Sequence, residues 1–197
     1  YKSQITGRTF ILTGKRLSWN GKDAHIEYVT DDTARANALE ALQKKLREQE
    51  CISACNRHLS GDVDFTGSIK RILAEIGSYY GAQRCVLMEV DARQGRVRKL
   101  SRWTRETMDE YPQSMEFGLN DYLPLAQRMG KPDCRTTENV EQFKESDPAL
   151  YAFLCGMNIT NIRSASFELD DVRQAYLAVF NSDMTDPDSS LLSQIAF

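Results

Sequence analysis

Between residues 5 and 30 apolar and polar positions alternate as they do along strands. Phe10 and Leu12 lead, through an expected irregularity at Gly14, to Leu17 and Trp19, and then to Asn20-Gly21. His25-Ile26-Glu27-Tyr28-Val29 resumes the alternation. Asn-Gly between two such runs predicts a hairpin, because both turn residues tolerate positive φ. A two-stranded hairpin is at best marginally stable in water. It is therefore expected to lean on a missing sheet, on the helix that follows or on a partner chain.

At Asp31-Asp32-Thr33 the rhythm changes to the helical period. These capping residues precede a stretch, 34–59, without Gly or Pro and dense in Ala, Leu, Glu, Lys and Gln, which predicts one long helix. From Ala34 to Leu59 it would span ~39 Å. Leu39, Leu42 and Leu46 follow a 3-4 spacing beside Ala38 and Ala41, and Ile52, Cys55 and Leu59 repeat that spacing in a shifted phase. The first set reads as a short coiled-coil seam, the second as a stripe facing a domain core.

Past the break at Ser60-Gly61-Asp62 a helix is predicted from Asp64 or Thr66 to Gly81, with Phe65, Ile69, Ile72, Leu73 and Ile76 on its apolar face. Strands follow at Arg84–Asp91 and Arg96–Trp103, joined by a turn holding Gln94-Gly95. An irregular region comes next, with a helix from Asn120 or Asp121 to Met129 and a short strand at Pro132–Thr136. Pro148 opens a further helix, Ile162–Leu169 and Val172–Phe180 are the last strands, and Leu191, Leu192 and Ile195 mark a final helix. This order is an α+β plan: an antiparallel sheet of five to six strands flanked by helices, preceded by a β-hairpin and a long connector helix.

Composition narrows the function classes. The 197 residues are 41% apolar and 27% charged, as in a soluble globular protein. The 25 Lys and Arg stand against 28 Asp and Glu, a net charge of −3, which gives no global attraction to nucleic acid or anionic lipid. Lys2, Arg8, Lys15, Arg16 and Lys22 cluster near the start but are balanced by Asp23, Glu27, Asp31 and Asp32, a solvated face. No apolar run approaches the roughly 20 residues of a membrane helix. The first residue is Tyr1 and the last, Phe197, lies in an apolar helical pattern, so both ends are expected to be cuts in a longer protein. Five cysteines at irregular spacing and only two histidines give no metal pattern. Reduced cysteines used as small apolar residues, in a cytoplasmic protein, are expected.

Residues 8–33, with Lys15-Arg16-Leu17, Trp19-Asn20-Gly21, Ala24-His25-Ile26-Glu27-Tyr28 and Asp31-Asp32-Thr33, resemble the closing strands of a PAS domain. From about Cys51 onward the chain resembles the GAF domains of bacterial multi-domain signalling proteins. The matching landmarks are Cys55-Asn56-Arg57-His58-Leu59-Ser60, Asp64-Phe65, Ile76-Gly77-Ser78-Tyr79-Tyr80-Gly81-Ala82 and Leu191-Leu192-Ser193-Gln194-Ile195-Ala196. The resemblance implies a PAS remnant at 1–33, a signalling helix at 34–50, a GAF domain at 51–185 and the start of an output-linking helix at 186–197. It further implies an output module outside this chain, a diguanylate cyclase of the GGDEF type or a histidine kinase, acting in cyclic-di-GMP or related signalling. No catalysis is expected in the chain itself.

Cyclic-nucleotide-binding GAF domains carry Asn-Lys and then Phe-x-x-x-Asp-Glu. Here Phe143-Lys144-Glu145-Ser146-Asp147 is followed by Pro148, so Phe143 is expected to plug the core and Asp147 to cap the Pro148 helix. A bilin-bearing domain needs a cysteine with a following His, whereas Cys134 precedes Arg135 and Cys155 precedes Gly156. Cys134 is the best thiol for a methionine sulfoxide reductase-like enzyme, although no second cysteine is close in sequence. The remaining option is a non-covalent pocket between the sheet and region 104–160, drawing on Trp103, Phe117, Tyr122, Cys134, Asn158, Arg163, Ser164 and Ser166. Ser164 and Ser166 alternate with Ala165 and Phe167, which makes one strand face hydrophilic. That face is either a pocket wall or a surface solvated or covered by helices. Arg102 and Arg105 beside Trp103 suggest an anionic or aromatic ligand.

The expectation is a regulatory GAF domain with no cofactor required by the sequence, a homodimer through its connector and terminal helices. A ligand-free dimerisation scaffold is the alternative, and the cysteine enzyme a remote one. Leu39, Leu42, Leu46, Ile52, Cys55 and Leu59 are the candidate dimer and signalling residues.

Overall fold

A computed structural model describes residues 1–60, 64–91, 96–105, 135–184 and 190–195. The chain divides into two compact units, Tyr1–Arg47 and Glu48–Phe197. In the first, β1 (Phe10–Trp19) and β2 (Lys22–Asp31) form an antiparallel ribbon. Asn20 and Gly21 turn it at φ 52° and 72°, as a two-residue primed turn requires. The irregularity expected at Gly14 is absent. Gly14 pairs with Glu27 in unbroken register, and its missing side chain makes room for the His25 ring, whose Nε2 would lie 2.7 Å from a Cβ. The ribbon leaves Leu12, Trp19, Tyr28 and Val29 exposed.

Helix α1 (Thr33–Ser60) is stitched to the ribbon at its start. The Thr33 hydroxyl oxygen accepts from the Thr9 amide at 2.9 Å, Asp31 Oδ1 accepts from the Thr33 amide at 3.0 Å, and Arg35 bonds both oxygens of Asp32. The Thr33 hydroxyl, donating to Asp31 Oδ1, and then the Thr33 amide hold the Asp31 carboxyl below its ordinary value. Leu39, Leu42 and Leu46 are more than half exposed. In the second unit the buried stripe of α1 is Cys51, Ala54 and Cys55. Cys55 is thus a core residue as expected, whereas Ile52 is only partly buried and Leu59 is exposed. The burying face is rotated by about one residue from the stripe read in the sequence.

Helix α2 (Phe65–Tyr79) buries Ile69, Ile72, Leu73 and Ile76, one apolar stripe at the helical period. Phe65, expected on that stripe, is 67% exposed. It precedes the first buried turn of the helix. Strands β3 (Arg84–Asp91), β4 (Arg96–Thr104), β5 (Arg135–Asn139), β6 (Asn161–Glu168) and β7 (Arg173–Phe180) form an antiparallel sheet in the order β4-β3-β7-β6-β5. The fold is therefore α+β, as the pattern implies. The 3-10 turn Val140–Gln142, the short α3 (Phe143–Ser146) and α4 (Pro148–Gly156) follow β5, and α5 (Ser190–Gln194) closes the described chain. Asp147 caps α4 by accepting from the Leu150 amide at 3.1 Å, and Phe143 is fully buried. The expected turn at Gln94-Gly95, the helix at 120–129 and the beginning of the strand at Pro132 lie outside the described residues.

β7 is buried on both faces from Ala175 to Phe180. On one face Leu177 and Val179 join Cys85, Leu87 and Ala165 beneath α1, α2 and α5. On the other, Tyr176, Ala178 and Phe180 join Met88 and Ile162 beneath Val140, Phe143, Leu150, Leu154, Met157 and Ile159. The helical face is tightest at Gly77, where an added Cβ would overlap the Trp103 ring. Gly77→Ala in a helix interior would otherwise gain up to ~1 kcal/mol from propensity. The overlap should reverse that gain, with a net loss of about 1–3 kcal/mol typical of overpacking. Urea denaturation followed by far-UV circular dichroism should show a lower midpoint at unchanged slope; a raised midpoint would mean the indole moves aside freely.

Candidate functional site

Period-two alternation places Ile162, Ser164 and Ser166 on one face of β6 and Arg163, Ala165 and Phe167 on the other. The partition follows the two cores, since Ile162 belongs to one and Ala165 to the other. Cross-strand register then builds rows on the face toward α3 and α4. Ser164 lies beside Ala178, Ala178 beside Val86 and Val86 beside Arg102. In the next row Ser166 lies beside Tyr176, Tyr176 beside Met88 and Met88 beside Lys99. One row of this floor is small at its centre (Ser164, Ala178, Val86), the next carries the larger Tyr176 and Met88, and the β4 edge is cationic.

Ser164 is 0% and Ser166 1% exposed. A solvated face is thereby excluded for these two hydroxyls, which are enclosed on the side that also holds Phe143, Leu150 and Leu154. The Tyr176 hydroxyl, 2.6 Å from Gln174 Oε1, donates to it and adds a further polar group to the same face. Tyr176, Gln174 and Ala178 were not among the sequence candidates, although their alternation along β7 marks them.

The other candidates disperse. Arg163 is buried on the opposite face of β6, where Nη2 donates to the Met184 carbonyl at 2.5 Å and the guanidinium lies 5.4 Å from the Tyr80 ring centroid. Trp103 packs on the helical face against Gly77. Asn158 is exposed in the turn after α4 at φ 54°. Phe117, Tyr122 and Cys134 lie outside the described residues. Of the named set, the structure unites Ser164 and Ser166. Arg105 faces Asp183 across 3.6 Å, so an acidic residue of the chain stands beside it.

The thiols divide by burial. Cys51, Cys55 and Cys85 are buried in the helical-face core, and Cys155 is exposed on α4. The hydrogen bond with Cys55, and then burial, pushes the Cys51 thiol up, and burial does the same to Cys85. Thiolate, the reactive form, is suppressed at both. Among the described residues no group of His, Cys, Asp or Glu is placed to hold a metal ion.

Below the floor, Asn181 ends β7 at φ 53° and binds in four directions. Its Oδ1 accepts from the Thr160 amide at 2.7 Å and the Thr160 hydroxyl at 3.1 Å. Its Nδ2 donates to Gln83 Oε1 at 2.7 Å and the Asn158 carbonyl at 2.6 Å. Asn181→Ala loses these bonds and strains the left-handed backbone, and should cost about 2–4 kcal/mol. Asn181→Gly relieves only the backbone part. Chemical denaturation of both variants should rank them wild type, Gly, Ala; equal losses would mean that the bonds alone set the cost.

No family model matches the sequence and no curated protein matches it. Solved structures do match the fold. A phycocyanobilin-bound GAF domain from a cyanobacterial phytochrome superposes with a TM-score of 0.61 at 14% identity, over 75% of this chain and 87% of that one. The chromophore-binding domain of Stigmatella aurantiaca phytochrome P1 matches at 0.58 and 13%, over 98% and 71%. The GAF domain of a putative sensor histidine kinase from Pseudomonas syringae pv. tomato matches at 0.51 and 12%, over 80% and 85%. The sheet and its helices have the GAF fold. Among the described residues no helix is long and apolar enough to cross a membrane.

Proposed function

We propose that this chain is a sensory GAF module that binds a small molecule non-covalently on the Ser164–Ser166 face and catalyses nothing itself. The observation that carries the reading is the burial of both serine hydroxyls on one face of β6, beside Ala178 and Tyr176. GAF domains of phytochromes and of a sensor kinase share the fold, which supports a signalling role. The phycocyanobilin of the phytochrome neighbour is not carried over. Cys155 is followed by Gly156 and stands exposed on α4, and Cys134 is followed by Arg135, so neither has the thiol-plus-His pattern.

In this reading ligand binding favours one packing arrangement around the floor over another, and the terminal helices carry the difference to an output domain. The ligand must bind the two arrangements unequally for any signal to pass. The output is of the diguanylate cyclase class, with a histidine kinase as the alternative, and the protein works in the cytoplasm. The exposed apolar residues of the β1–β2 ribbon fit the closing strands of a PAS sheet, since a two-stranded ribbon does not bury them alone.

A screen of nucleotides, amino acids and other metabolites by thermal shift tests the reading. A ligand at a hundredfold its dissociation constant stabilises by ~2.7 kcal/mol, or about 5–10 °C for a chain of this size. At least one class should do so, and Ser164→Val and Ser166→Val should each abolish the shift. A broad library without effect, together with a constitutive dimer, would favour the scaffold instead.

That rival draws on Leu39, Leu42 and Leu46, each more than half exposed at 3-4 spacing, as in a seam awaiting a second copy. Both readings place a homodimer there. Sedimentation equilibrium should find a dimer that Leu42→Glu converts to monomer; an unchanged dimer would put the seam elsewhere.

A further inference from the structure

β6 touches both the serine floor and the chain entering α5. Ser164 and Ser166 occupy the floor side. On the reverse side α5 packs against β6 and β5, and Leu191, Leu192 and Ile195 bury beside Ala165. After the end of β7, residues 181–184 make a set of polar contacts, and the Met184 side chain packs against the helical-face core. The Ser182 amide donates to Asn161 Oδ1 at 2.8 Å and the Asn161 amide group donates to the Ser182 carbonyl at 3.2 Å. The Ser182 hydroxyl donates to the Tyr80 carbonyl at 2.8 Å and accepts from the Met184 amide at 3.2 Å. Arg163 completes the set by holding the Met184 carbonyl while its guanidinium lies on Tyr80.

Consecutive residues of a strand share a backbone but face opposite ways. A displacement of β6 that accommodates an occupant at Ser164 therefore moves the root of the Arg163 side chain. Burying a guanidinium is costly unless its donors and its face are both engaged. Arg163 is held by the Met184 carbonyl at Nη2 and by the Tyr80 ring on its face, so losing the carbonyl contact leaves a buried charge to be rehoused. We propose that Arg163 is the latch through which the state of the serine floor reaches α5, with release of the Met184 carbonyl freeing the terminal helix from the sheet. This rests on the sensory reading above for its input, but the latch itself is present without ligand.

Methyl NMR on the 197-residue chain tests it. In Arg163→Gln the Leu191, Leu192 and Ile195 methyls should lose their native shift dispersion, while those of Leu150, Leu154 and Ile162 keep theirs. Arg163→Lys, which retains the charge but not the planar stack, should show a partial loss confined to the same three residues. Ser164→Val should move the α5 methyls in the wild-type background and leave them unmoved when combined with Arg163→Gln. Should Arg163→Gln not fold, Arg163→Lys and Tyr80→Leu carry the test by the same criterion. Unchanged α5 methyls overturn the proposal. So does a parallel collapse of both methyl sets in the folded variants, which would make Arg163 general core support. Because these spectra require no ligand, a failed latch and a failed metabolite screen are separate results.

Discussion

Asn181 is where the second unit is tied together. The chain leaves the doubly buried β7 and must turn at once, and a positive φ there would strain most other side chains. Asparagine tolerates it and brings both a donor and an acceptor to the turn. With them it joins the residue before β3, the turn after α4 and the residue before β6. Two strand starts and one helix end thus meet at the end of the central strand. The two hydrophobic cores lie on opposite faces of β7, so their relative placement depends on this junction being fixed.

The two faces do different physical work. The helical face packs apolar side chains, with cysteine serving as a small hydrophobe and the indole of Trp103 lying on a bare helix backbone, around one buried guanidinium, that of Arg163. The opposite face mixes hydroxyls and small residues with the apolar side chains of α3 and α4. Buried hydroxyls are retained in a packed interior where they are hydrogen-bonded.

Much of this was legible in the sequence where the signals were local. Asn20-Gly21 fixed the ribbon turn, Asp147-Pro148 the start of α4, and the spacing of Ile69, Ile72, Leu73 and Ile76 the buried stripe of α2. The phase of a stripe near a helix end was less legible. Leu59 and Phe65 are apolar and correctly spaced, but they flank the junction between α1 and α2 and stay exposed among the described residues. For the site, period two already separates Arg163 from Ser164, so a set containing both could not line one face. What the sequence did not contain was the tertiary half of the problem: that Tyr80 and Met184 would meet Arg163, or that Gly77 would admit an indole.

The contact between Gly77 and Trp103 has a practical side. The chain has two tryptophans, and Trp19 is 67% exposed at the ribbon tip. Trp103 is partly buried against α2. Two indoles in such unlike surroundings emit at different wavelengths, one as in water and one shifted to the blue. The blue component is a native optical gauge of the gap between α2 and the sheet, and time-resolved emission can follow that gap without any added label.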